Sequence, residues 1–332
     1  MRTVIIILLL CAQSATSQVK HLYRNGHVLF YDPADYSIYT FGGADTSAVH
    51  GETWQWKNDR WHLSAIESPG ARTFPSVAYD GANKRIILFG GKKTLFTSPP
   101  DEDLFLNDTW IFENKKWRQV HTSIAPSRRA EATLVFDPKT GDCVLFGGYD
   151  IINDTTHRLT DVWLFRNNTW QLLSPDTGIG NNGHIAFYSP VLQKPVMCAG
   201  RYSVRNGSAF FQWNVHAWEQ LAVKDSIRIY NPAYAPGPGY LISFGGWTGK
   251  ERINTTYRID IANNIGITRL NCDTLPPARN HAQLVYDHTS GGFLLFGGHD
   301  GERVFCDVWL FKNGQWKPII AREPAPRKDT DH

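Results

Sequence analysis

The sequence predicts an all-β fold, a six-bladed β-propeller with four antiparallel strands in each blade. Three observations predict it. An apolar run closing in Gly-Gly recurs as "YTFGG" ending at Gly43, "ILFGG" at Gly91, "VLFGG" at Gly148, "ISFGG" at Gly246 and "LLFGG" at Gly298, with "VMCAG" ending at Gly200 as a degenerate copy. A tryptophan pair recurs in "GETWQWKNDRW", "NDTWIFENKKW", "TDVWLFRNNTW" and "CDVWLFKNGQW". The copies lie roughly fifty residues apart, and a fixed period of that size marks a ring or array of repeated units.

Each unit has the same order of elements. A first apolar run, strand A, ends in an aromatic-Asp turn, as in "TLVFDPKTGD" and "QLVYDHTSGG". A second run, strand B, ends in the Gly-Gly pair. A variable loop leads to strand C with the first tryptophan, and an "NN" or "NG" turn leads to strand D, which opens with the second. Runs this short, rich in Val, Ile, Leu, Phe and Trp and bounded by Gly, Asp and Asn, read as hairpin-connected strands. A sheet apolar on both faces must pack both faces against neighbours, and six copies set radially do so. Glycine suits the end of strand B, where the backbone leaves a crowded centre. The tryptophans are expected to fill the gap between wedge-shaped blades.

The Gly-Gly ending of strand B, the aromatic-Asp turn and the spaced tryptophans are similar to Kelch repeats, over about residues 20–320. The resemblance implies the propeller. It implies little about activity, because propellers of this kind serve as binding platforms, enzymes and assembly parts. Two units depart from the pattern. The fourth has Ala199 for the first glycine and "NVHAW" in place of the seven-residue tryptophan spacing, and the fifth has Tyr257 and Ile267 where tryptophans are expected.

The chain of 332 residues carries 42% hydrophobic and 20% charged residues, enough to bury a large core. A formal net charge of +3 gives no case for nucleic acid. Residues 1–17, "MRTVIIILLLCAQSATS", combine Arg2, an apolar run from Val4 to Ala12, and small residues at Ala15 and Ser17. That reads as a signal peptide cut near Ser17–Gln18, too short to span a bilayer. The expected organisation is therefore a signal peptide at 1–17, the propeller at 18–321 and a polar tail at 322–332. The expected location is secreted or periplasmic, without integral membrane association after cleavage. Cys11 falls in the signal, and Cys143, Cys198, Cys272 and Cys306 show no C-x-x-C spacing, so no zinc site is indicated.

In an antiparallel blade the B–C loops and D–A segments emerge on one face, and the A–B and C–D turns on the other. The B–C loops vary most, so recognition is expected on their face. Eight residues before the aspartate closing strand A stands an arginine in four units: Arg24, Arg72, Arg129 and Arg279. The fourth unit has Asn181 there, and the fifth has Arg228 nearby. A ring of guanidinium forks would suit an anionic small molecule, glycan or peptide. The competing reading is that the arginines brace the repeat itself. On the same face lie His281, two residues after Arg279, and the residues following Gly-Gly: Lys92, Tyr149, Asp150, Arg201, Trp247, His299 and Asp300. Arg279, His281 and His299 form the most polar group there. Trp247 could stack on a sugar or peptide ring.

No G-x-S-x-G or H-E-x-x-H motif occurs, and Gly-Gly ends a strand without opening a helix, so no nucleotide site is indicated. No cofactor or metal is expected, and "DED" at 101–103 reads as a solvated loop tip. Two functions stand side by side. One is a secreted binding module for an anionic glycan, peptide or protein partner. The other follows from the resemblance, since exported six-bladed Kelch propellers include sialic-acid mutarotases. An arginine holding a sugar carboxylate, with His or an acid moving a proton, fits that chemistry. A deep pocket containing Arg with His or Glu would favour the enzyme, and a broad shallow surface the binding module.

Overall fold

The computed structural model describes residues 22–64, 67–94, 104–198, 209–223, 227–260, 265–321 and 325–326. The first and third units show how sequence becomes blade. Asn25–Asp32, Ser37–Ala44, Thr53–Lys57 and Arg60–Ser64 pair in chain order as strands A to D of blade 1. In blade 3 the strands are Ala130–Asp137, Asp142–Ile152, Val162–Arg166 and Thr169–Ser174. Strand B of this blade runs on past its glycines and pairs with Thr155–Arg158 as a projecting hairpin. Blades 2, 4, 5 and 6 begin their A strands at Ser76, Ile185, Ala233 and Gln283, and each is a four-stranded antiparallel sheet. The degenerate fourth and fifth units thus form complete blades, with Phe211 and Tyr257 at the first tryptophan position.

Residues 1–17, expected from sequence to be a signal peptide, lie outside the described residues, as do Ala199, Gly200, Arg201 and the acidic 101–103 loop tip. Most of the tail also lies outside them, but Ala325–Pro326 pairs with Arg303–Val304. Among the described residues no helix is long and apolar enough to cross a membrane.

Side chains alternate across each strand, so every blade offers one apolar face to each neighbour. Val28 and Phe30 of blade 1 pack with Ile86, Leu88 and Trp117 of blade 2. Leu29 turns the other way, to a cluster holding Val285, Leu294 and Phe296 of blade 6. Similar clusters fill the other four gaps. Each blade is contiguous in sequence, so the ring closes by packing blade 6 on blade 1 without exchanging a strand between them.

In the second and third units the two tryptophans differ in depth, whereas in the first and sixth both are buried. Those of strand D, such as Trp117 and Trp170, are buried, whereas Trp110 and Trp163 of strand C are half-buried. The first glycine of each pair is needed because the next unit presses on it. At Gly297 (φ 68°) an added Cβ would lie 2.4 Å from the carbonyl oxygen of Arg24. The second glycine then donates its N–H to that same carbonyl, Gly298 N to Arg24 O at 2.8 Å. Gly43 with Arg72, Gly91 with Arg129 and Gly246 with Arg279 repeat this bond at 2.8 Å.

Candidate functional site

The four arginines point outward from the axis, across the end of strand B to the start of strand C in their own blade. Arg279 lies with both terminal nitrogens on Asp307, at 2.6 and 2.7 Å, and one also on the Gly297 carbonyl at 2.9 Å. Arg72 pairs in the same way with Asp108 and Arg129 with Asp161. The indole N–H of Trp110, Trp163 and Trp309 donates to the same carboxylates. Arg24 has the looser version, a 3.2 Å contact to half-exposed Glu52, and burial pulls its pKa down to about 10. All four arginines are at most 2% exposed.

Two residues further on, every blade turns left-handed. Gly26, Phe74, Glu131, Gly183, Asn231 and His281 occupy this position with φ between 49° and 63°. Main-chain bonds run from blade to blade through it: Phe74 N to Gly26 O, Glu131 N to Phe74 O, Asn231 N to Gly183 O and His281 N to Asn231 O. A left-handed non-glycine residue costs roughly 1–3 kcal/mol, and such residues cluster at functional sites. The two glycines make room for their neighbours. A Cβ on Gly26 would meet the Phe74 ring at 2.5 Å, and one on Gly183 would overlap Asn231 Oδ1.

The remaining four side chains meet on the axis. Asn231 Nδ2 lies 2.5 Å from His281 Nε2, and His281 Nδ1 lies 3.0 Å from His299 Nε2. With the amide donating, His281 carries its proton on Nδ1 and passes it toward His299. From the opposite blade, Glu131 places Oε1 3.8 Å from His281 Nε2, while Asn182 donates to its Oε2 at 2.7 Å. The Phe74 ring stands edge-on to His281 at 5.1 Å. Lys92 Nζ lies 5.8 Å from the centre of the Phe74 ring and 5.9 Å from that of Tyr149. Burial raises the Glu131 carboxyl pKa, against the hydrogen bond from Asn182 and the charge of Lys92. Burial likewise lowers the Lys92 ammonium, against the charge of Glu131. A carboxyl and a lysine with displaced proton affinities beside a histidine pair are a chemically responsive group.

Of the residues singled out from sequence, His281 and His299 come together here, and Tyr149 joins them through Lys92. Trp247 is half-buried on the same face with Arg252 over its ring at 5.1 Å. Asp300 accepts main-chain bonds from Glu302 and Arg303 and pairs with the Arg303 side chain at 2.7 Å, all within its own loop. Arg201 lies outside the described residues. Sequence reasoning missed Glu131, Asn182, Asn231 and Phe74. The offset that found His281 from Arg279 reaches Glu131 from Arg129 and Phe74 from Arg72.

Below this cluster, toward the A–B turns, the axis is a channel of about 680 Å³ lined by the A strands of all six blades. A pocket of this size is ordinary for a small-molecule site. Glu131 is the one acidic residue among its described lining residues, and no lysine or arginine lines it. His27 and His184 face the channel with pKa values pulled down to about 3 by burial, so both are neutral. Five residues beyond each left-handed position stand Tyr31, Tyr79, Phe136, Tyr188, Pro236 and Tyr286, and the five aromatics are half-buried. They form a collar at the far end of the channel.

No protein-family model matches this chain and no curated protein matches it, so the likeness to Kelch repeats rests on its own motifs. The structure establishes a six-bladed β-propeller.

Proposed function

We propose that the propeller is a binding module that seats a sugar-sized polar ligand on its axis, against Glu131, Asn231 and His281. The observation that supports this is the convergence of four left-handed, non-glycine side chains on one point. The left-handed turn alone would be served by glycine there. For the anionic glycan or peptide expected from sequence, Lys92, His281 and His299 are groups of the axis cluster that can meet a negative charge. They take that part from the arginines, whose forks are filled by carboxylates of their own blades. Export through residues 1–17 belongs to the same proposal, and a secreted fraction in the native host checks it.

A thermal-shift screen of neutral and acidic monosaccharides and short peptides tests the site, because a bound ligand raises the melting temperature. Glu131→Gln and His281→Gln are expected to weaken any ligand found, and Lys92→Met to weaken acidic ligands selectively. Binding that ignores both axis variants defeats the proposal.

The mutarotase reading has one observation in its favour, the Glu131 carboxyl facing His281 across the axis at 3.8 Å. An acid and a base so placed could move a proton at the ring oxygen and anomeric hydroxyl of a bound sugar. Saturation-transfer NMR between the anomers of an acidic sugar tests it, with exchange expected to disappear in Glu131→Gln.

A further inference from the structure

We infer that the channel takes a neutral carbohydrate chain end-on through the face of the A–B turns, with the aromatic collar holding a second sugar ring outside the one held at the axis. This rests on the axis site proposed above.

The dimensions limit the occupant first. Five residues separate the left-handed position from the collar in every blade, a depth of roughly 16 Å at the usual strand rise. A volume of about 680 Å³ over that depth is a narrow bore. An α-helix with its side chains is about 10–12 Å across and does not fit. One ring at a time, or one extended chain, does.

The walls decide the chemistry. Strand A is the edge strand of every blade, bonded to strand B on one side alone. Its other side faces the axis, so six strand edges without a ladder partner there offer main-chain N–H and C=O groups round the bore, apart from groups already bonded by side chains, such as the Ala132 carbonyl that accepts from Ser76 Oγ at 2.8 Å. An apolar ligand would bury these groups without partners, at a cost of about 1–3 kcal/mol each. An extended peptide presents its own main-chain groups in one plane and would satisfy two opposite edges. A sugar carries hydroxyls, each both donor and acceptor, around its whole girdle. The described lining holds no lysine or arginine, so the channel offers no permanent positive charge to a polyanion.

The collar supplies the second holding point. Tyr31, Tyr79, Phe136, Tyr188 and Tyr286 come from five separate blades and keep part of each ring in solvent. His288 packs against both Tyr31 and Tyr286, at 4.7 and 4.9 Å between ring centres. Rings with an apolar face and a polar tip suit the alternately apolar and hydroxylated surfaces of a pyranose.

Titration calorimetry with glucose and N-acetylglucosamine, and with their β-1,4-linked oligomers from dimer to hexamer, tests the inference. A hexapeptide serves as the alternative probe. The trimer is expected to bind about tenfold more tightly than the monomer, the gain of stacking one further ring. Tyr79→Ala with Tyr286→Ala should abolish that gain and leave monomer affinity unchanged. Tyr79→Phe with Tyr286→Phe, which keeps the stacking faces, should retain it. Glu131→Gln should weaken monomer and oligomer alike. A monomer weakened by Glu131→Gln but no gain with length, or a gain that survives the double alanine variant, overturns end-on binding and leaves the axis site standing. Oligomers that gain with length while Glu131→Gln has no effect remove the axis site instead. Preference for the hexapeptide, or no binding by either saccharide series, overturns the carbohydrate assignment.

Discussion

Trp117 donates its indole N–H to Thr53 Oγ1 in the preceding blade at 2.9 Å. Trp170 does the same to Thr109, and Trp316 to Thr256, each at 2.8 Å. At the interface that closes the ring, the equivalent residue is Val308, and the Trp61 Nε1 is buried without a hydrogen-bond partner among the described residues. Val308→Thr is nearly the same shape and supplies the missing acceptor. It is expected to stabilise the protein by about 0.5–1.5 kcal/mol, the net value of a typical hydrogen bond. Urea denaturation measures this, and an unchanged or lower midpoint would show that the indole and the hydroxyl do not meet.

Arg279 and Asp307 are the most deeply buried of the arginine–carboxylate pairs, with side chains 0% and 6% exposed. Arg279→Met leaves Asp307 buried and uncompensated, and should cost about 3–5 kcal/mol. Adding Asp307→Leu should recover part of the loss, because the orphaned charge is then gone. Equal stability of the single and double variants would count against the pair as the source of the effect.

Trp170 is 2% exposed and fills the gap between blades 2 and 3, whereas Trp163 keeps part of its ring in solvent. Trp170→Ala is expected to cost about 3–5 kcal/mol, as large aromatic truncations do. Trp163→Ala should cost less. Guanidinium denaturation of the two variants side by side gives the order, and the reverse order would refute this division of depth.

Stability should fall on both sides of an intermediate pH. His27 and His184 stay neutral in the fold down to about 3, from an ordinary value of 6.5. Below 6.5 the unfolded chain takes protons that the folded chain refuses, so stability is lost as pH drops toward 3. Glu131 acts in the opposite sense. Its raised pKa means that the unfolded chain ionises first, and stability falls as pH rises from the ordinary carboxylate range through the folded value. His184→Gln should flatten the acid limb and Glu131→Gln the other. Melting temperatures across the pH range check both slopes.

The blades were legible in the sequence because four units state their strands, turns, glycines and tryptophans in the same order and the fourth and fifth keep enough of it to be placed. The role of the arginines was legible too, in a covariation within the chain. Arg24, Arg72, Arg129 and Arg279 belong to the units whose first tryptophan is preceded at two residues by Glu52, Asp108, Asp161 or Asp307. The fourth unit has neither the arginine nor the acid, with Asn181 and Ala209, and the fifth has Thr255 in place of the acid. The axis cluster was half legible. His281 and His299 stand out as rare residues, but Glu131 sits in "RRAEAT", which looks like any polar lead into a strand. Its meaning arises once six equivalent positions, far apart in the chain, are brought round one axis.

The double duty of Arg72 has a kinetic consequence. Its guanidinium ties strand A of blade 2 to strand C, while its carbonyl accepts the N–H of Gly43 in blade 1. A blade that opens therefore releases the acceptor on which its neighbour's strand B ends, and the same holds at Arg24, Arg129 and Arg279. Partial opening of one unit is penalised on both flanks. Amide hydrogen exchange at Gly43, Gly91, Gly246 and Gly298 should then share one protection level, close to that of global unfolding, instead of a graded series from blade to blade.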